Sequence, residues 1–146
     1  MSDLAHRTIT IMFTDIVGST RLWEDLPHEM ESTLARHDAL LRTCIEQHGG
    51  EVVKSTGDGY MAIFRDAWQG VSAALAAQRA LANERWDGKI GRLQVRMGLN
   101  TGTAERRAGD YYGPAVNRAA RLVSVANGGQ ILISETIHKL LRNALS

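Results

Sequence analysis

Cysteine is almost absent from this chain of 146 residues, Cys44 being the only one. That excludes an internal disulfide and any paired-cysteine metal or redox motif. Cys44 lies in an apolar helical pattern and reads as a plain core thiol. The five histidines (His6, His28, His37, His48 and His138) are scattered, without the spacing of a zinc motif. No apolar run approaches the roughly 20 residues a bilayer demands. No basic-then-apolar leader opens the chain, so no membrane contact and a cytoplasmic location are expected. Neither sign of charge dominates: 17 basic against 16 acidic side chains leave a net charge of +1. Bulk attraction to nucleic acid is therefore not expected, and the adjacent Arg106 and Arg107 read as a solvated loop. Hydrophobic residues at 44 % and charged residues at 23 % are ordinary for a folded domain, and one domain over 1–146 is expected.

Periodicity predicts the elements. Thr8 to Thr14 is apolar and β-branched enough for a strand. Glu29 to Gln47 carries Leu34, Leu41 and Ile45 on one helical face and stops at Gly49 and Gly50. Glu51 to Phe64 reads as two strands around "GDG", a hairpin with Asp58 and Gly59 as its turn residues. Asp66 to Glu84, alanine-rich with Val71, Leu75 and Leu81, is a second helix. Leu93 to Thr101 is a strand, and "TAERRAGDYYG" is a loop or second hairpin. Pro114 opens a helix reaching about Ala126. Ile131 to Ser134 is a short strand before a last helix. The order predicts an α+β, ferredoxin-like βαββαβ core with additions, its antiparallel or mixed sheet carrying helices on one face.

"FTDIVGST" delivers Asp15 to the end of a strand, and "TGDGY" puts Asp58 at a hairpin tip. In a split βαβ core those regions can be neighbours. Two carboxylates with phosphate oxygens and water form the shell that magnesium or manganese prefers. Taken singly, Asp15 also reads as a cap and Asp58 as an ordinary turn residue. After Asp15, the stretch Gly18, Ser19 and Thr20 leads into a helix start. Its exposed N–H groups suit a phosphate, and the glycine is expected to permit close backbone approach.

Asn117 and Arg121 stand four apart in "PAVNRAARL", on one face beside an apolar stripe of Val116, Ala120 and Val123. Such a pair can orient a ribose and clamp phosphate oxygens, or simply be a solvated face. Lys54, in an otherwise apolar or small strand, and Asp110, before two tyrosines, suit adenine: lysine donates to ring N1 and aspartate accepts from the exocyclic amine. Guanine presents the reverse pattern, and each unpaired group in a closed site costs about 1–3 kcal/mol.

"FTDIVGST", "VVKSTGDGYMAIF", "VRMGLNTG" and "DYYGPAVNRAARL", in this order and spacing, resemble the class III nucleotidyl cyclases, the adenylate and guanylate cyclase catalytic domain. The resemblance runs from about Thr8 to Ser134. It implies a head-to-tail homodimer with shared active sites and two divalent cations, Mg2+ or Mn2+. Asp15 and Asp58, with the backbone carbonyl of Ile16, resemble the metal ligands. Lys54 and Asp110 resemble the adenine-selecting pair, commonly Glu and Cys in guanylate cyclases. Asn117 resembles the ribose-orienting asparagine, and Arg121 the arginine of the transition state. The implied reaction is conversion of ATP to 3′,5′-cyclic AMP and pyrophosphate. The family continues past the last helix into a hairpin bearing a phosphate-binding lysine, and no such hairpin follows "HKLLRNALS" here.

The alternatives are a guanylate cyclase, against which Lys54 and Asp110 argue, and a non-catalytic nucleotide-binding signalling module, against which the complete set of six side chains argues. A diguanylate cyclase would need a GGDEF-type motif, and "HGGEVV" is only a superficial echo of one.

Overall fold

A computed structural model describes residues 6–145. The first strand, β1 (His6–Ile16), runs longer than its apolar run suggests. A short helix α1 (Ser19–Asp25) and the long α2 (Pro27–Gln47) follow, then the hairpin β2 (Glu51–Ser55) and β3 (Tyr60–Phe64). Next come α3 (Ala67–Asn83), the long β4 (Val95–Arg107), β5 (Asp110–Tyr112), α4 (Pro114–Val125), β6 (Ile131–Ile133) and α5 (Glu135–Leu145). Asp66 caps α3 by accepting from the Gln69 N–H at 2.8 Å, and Ser134 does the same for the Ile137 N–H at 3.3 Å.

The sheet order is β2-β3-β1-β4-β5, with β6 lying parallel on the same edge of β4 that β5 occupies farther along. The four strands β2, β3, β1 and β4 are antiparallel neighbours. β1 and β2 therefore run parallel with β3 between them, as do β3 and β4 with β1 between them. That is the split βαβ pattern expected of a ferredoxin-like core.

β1 is buried almost continuously from Ile9 to Thr14, so both of its faces need cover. On one face Met12, Ala62, Phe64, Met97 and Leu99 pack with Met30, Leu41 and Ile45 of α2, Ala73, Ala74, Ala77 and Leu81 of α3, and Ile137 of α5. Leu75 stays 45 % exposed; small alanines make the buried face of α3. On the other face Ile9, Ile11, Phe13, Met61 and Ile63 pack with Ala119 and, more loosely, Ala115, Val116, Ala120 and Val123 of α4. The expectation of helices on one face thus holds for α2, α3 and α5, while α4 crosses the opposite face because that face is equally apolar. Cys44 is buried, and burial pushes its thiol up from the ordinary value, which makes it an unreactive core group. Among the described residues no helix is long and apolar enough to cross a membrane.

Candidate active site

The β1–β3 register pairs Thr10 with Phe64 and Phe13 with Met61. Continued by two residues, it sets Asp15 opposite Gly59, and by a third, Ile16 beside Asp58. Contacts at the hairpin tip agree: the Tyr60 N–H donates to Thr14 Oγ1 at 3.0 Å. A Cβ on Gly59 would lie 1.8 Å from the Thr14 carbonyl oxygen and 3.1 Å from Asp15 Cα. The backbones are in contact, so the two acids, remote in sequence, lie at the same end of the sheet. The left-handed residue of the turn is Gly57, with φ +76°, rather than Gly59. Glycine is needed at 59 for room, not for conformation.

Each carboxylate has one oxygen engaged. Asp15 Oδ2 accepts from Arg96 Nη2 at 2.7 Å and Nε at 3.1 Å. Arg96 Nη1 also donates to the Ser124 carbonyl at 3.1 Å, which ties this corner to the end of α4. Asp58 Oδ2 accepts from the Trp23 indole N–H at 3.0 Å. Among the described residues neither Oδ1 receives a hydrogen bond. Sequence reading missed Arg96 and Trp23. A guanidinium inside the apolar "VRMGLN" run was a signal for the first, and its cross-strand partner Asp15 is visible only in the register.

An all-oxygen donor set fits a hard cation. Among the described residues no group of three or more His, Cys, Asp or Glu side chains converges. The ligands beyond Asp15 and Asp58 would come from backbone, such as the Ile16 carbonyl, from water and from phosphate, which magnesium accepts readily. Beside them α1 starts at Gly18, whose φ of +69° is left-handed. No atom lies within 4 Å of where its Cβ would be. That glycine serves the turn, not close approach within this chain. No side chain caps the helix, which leaves the N–H groups around Ser19 and Thr20 open to an anion.

Lys54 and Asp110 lie on the two outermost strands of the five-strand path, yet Lys54 Nζ donates to Asp110 Oδ2 at 2.7 Å. Two features close the gap. The β2–β3 register slips between Val52 and Lys54, so that Lys54 falls opposite Met61. Opposed residues share a face, and the bulge therefore aims Lys54 to the α4 side of the sheet. From the other edge, Tyr111 is buried against Ile9, Ile11, Phe13, Met61 and Ile63. The β4–β5 hairpin must fold over that face to bury it, which carries Asp110 inward. The Lys54 hydrogen bond holds the Asp110 carboxyl below the usual carboxylate range, against a smaller opposing effect of burial.

Asn117 and Arg121 are exposed on the outer side of α4, opposite buried Ala119. Among the described residues neither side chain has a hydrogen-bond or ion-pair partner. α4 begins directly after β5 and ends where Arg96 meets Ser124. Its 12 residues extend about 18 Å at helical rise, so the Lys54–Asp110 pair and the acids stand toward opposite ends of it.

The family model for the adenylate and guanylate cyclase catalytic domain matches residues 2–146. The chain belongs to this family. The class III cyclase domain is 35 % identical over 157 aligned residues to an adenylate cyclase of Schizosaccharomyces pombe, covering 91 % of this chain and 9 % of that protein. To an adenylate cyclase of Neurospora crassa it is also 35 % identical, covering 91 % of this chain and 7 % of that one. It thus spans a small part of these relatives. Among solved structures, Trypanosoma brucei adenylate cyclase in its monomeric state superposes with a TM-score of 0.85 at 28 % identity, over 91 % of this chain and 74 % of that one. A Silicibacter pomeroyi adenylate/guanylate cyclase/hydrolase gives 0.80 at 32 % identity, over 97 % and 83 %. The fold expected of a cyclase domain is therefore present.

Proposed function

We propose that this single domain cyclises ATP to 3′,5′-cyclic AMP with release of pyrophosphate, in a homodimer whose sites are shared between chains. The observation that supports the reading is the seating of the β2–β3 tip on β1, Gly59 against Thr14, which brings the loop that bears Asp58 to the end of β1 that bears Asp15. These two side chains and the Ile16 carbonyl would hold two divalent cations. Magnesium or manganese, when bound, supplies positive charge for the phosphates and acidifies the ribose 3′-hydroxyl.

The chain's own residues then position and polarise. N–H groups at Gly18 to Thr20 would meet phosphate oxygens, and Arg96, engaged by Asp15 and the Ser124 carbonyl, adds positive charge near Asp15. Lys54 and Asp110 read the adenine edge. Asn117 orients the ribose so that the 3′-oxygen faces the α-phosphorus, and an intramolecular attack gains most from such orientation. The new O–P bond forms as the bond to the bridging oxygen of the β-phosphate breaks; the hydroxyl proton leaves to solvent. Arg121 meets the charge growing on the α-phosphoryl oxygens. That Asn117 and Arg121 face outward with no partner among the described residues supports completion of the site by a second copy.

The test is product formation from ATP and from GTP, in manganese and in magnesium, by wild type and Asp15→Ala. Cyclic AMP from wild type alone, in excess over cyclic GMP, is the expected result. Preference for GTP would make the domain a guanylate cyclase. Nucleotide binding without turnover in manganese would make it a signalling module.

A further inference from the structure

α1 is too short to be stable by itself, yet it holds Trp23 in a fixed place. The indole ring packs against the core cluster that contains Met30 and Tyr60, and only its N–H reaches the hairpin tip, 3.0 Å from Asp58 Oδ2. Asp58 sits in a four-residue loop flanked by glycines, so its own backbone does little to fix the side chain. The hydrogen bond to the indole restrains the carboxylate through Oδ2, and among the described residues Oδ1 is the oxygen left without a hydrogen bond.

We propose that Trp23 is a positioning residue for the divalent-cation site, holding the Asp58 carboxylate in the orientation that binds metal. This rests on the reading of Asp58 as a metal acid. A neutral donor suits the task, because a second cation here would compete with the metal for the same carboxylate. Arg96 on Asp15 is such a cation, so the two acids are not equivalent. Among the described residues Asp58 is in no ion pair, while Asp15 would divide its charge between Arg96 and a metal.

Trp23→Phe keeps a six-membered aromatic ring against the core and removes the N–H with the rest of the indole. Outer-shell hydrogen-bond partners of metal ligands commonly contribute at least tenfold to affinity. Mn2+ binding, titrated by electron paramagnetic resonance with the metal alone at a temperature where both proteins are folded, is expected to weaken on the order of tenfold in Trp23→Phe. In an Asp58→Ala background the same change should have no further effect. A wild-type readout needs no variant: in an 15N spectrum, Mn2+ should broaden the Trp23 indole signal before those of Trp68 and Trp86.

Equal Mn2+ affinity of wild type and Trp23→Phe, an equal loss in both backgrounds, or uniform broadening of all three indoles would each overturn the assignment. Cyclic AMP formation with an unresponsive Trp23 sinks this inference and leaves the cyclase reading intact. A responsive Trp23 in a protein that makes no cyclic nucleotide does the reverse.

Discussion

A Cβ placed on Gly59 would sit 1.8 Å from a backbone oxygen, and a carbonyl in the middle of a sheet cannot swing aside as a side-chain tip can. Gly59→Ala must therefore push the hairpin tip off β1. Overpacking of this kind costs typically about 1–3 kcal/mol, which in a domain of this size lowers the melting temperature by several degrees. Metal-dependent activity should fall further than stability, because the same displacement separates Asp58 from Asp15. Gly57→Ala is the control: there a Cβ meets no atom within 4 Å and only the left-handed backbone, φ +76°, is strained. It should cost about 1–2 kcal/mol and spare the acids' approach. Thermal melts and product assays on the pair check this, and a harmless Gly59→Ala would refute the close contact. At this scale the sequence exposed the residue types but not their duties. "GDG" announced a turn, and which glycine bends and which makes room depends on β1, more than forty residues away. Trp23 and Arg96 stayed hidden for the same reason, since each is defined by a partner on another element.

Elements were more legible than residues, because period and punctuation are local signals. The long helix, the first hairpin and the Pro114 helix lie near their expected bounds. The bulge at Val53 left no mark in "VVKS", since one extra residue does not disturb an apolar run. The inward fold of β5 depends on what Tyr111 finds across the sheet. α2 carries a consequence of its own. His37 is fully buried in it, stacked 6.2 Å from the Tyr60 ring, and its Nδ1–H donates to Asp38 at 2.9 Å. Its Nε2 has no hydrogen-bond partner among the described residues. Burial pushes the imidazole below its ordinary value of 6.5, outweighing Asp38, which lies at 2.9 Å, and the more distant Asp58. Arg42 lies over the same Tyr60 ring, 6.0 Å from its centroid. Between the lowered folded value and the ordinary unfolded one, the unfolded chain binds more protons, so stability falls as acid is added through that window. In metal-free buffer the melting temperature of wild type should drop from pH 7 toward pH 5 more steeply than that of His37→Gln. Parallel slopes would show that the drop arises at other groups.

For the whole molecule, sheet order and the βαββαβ frame followed from the element order, because few topologies accommodate it. Assembly did not, because nothing in one chain records the surface of another. Cyclase structures themselves differ: the Trypanosoma brucei domain is described in a monomeric state, and a Blastocladiella emersonii guanylyl cyclase domain of the same fold as a non-canonical dimer. Complementation decides the matter for this chain. Asp58→Ala removes a metal acid and Arg121→Ala the outward guanidinium of α4, so each homodimer should be inactive. If each site draws the acids from one copy and Arg121 from the other, a heterodimer has one doubly damaged site and one intact site. Random pairing of equal amounts makes half of the dimers mixed, and half of their sites work. The mixture should therefore recover about a quarter of wild-type activity per protein, rising with total concentration as dimers form. If every site drew on a single copy, no pairing would restore any activity. Differently tagged partners, co-purified to prove that heterodimers exist, make a null result decisive against shared sites.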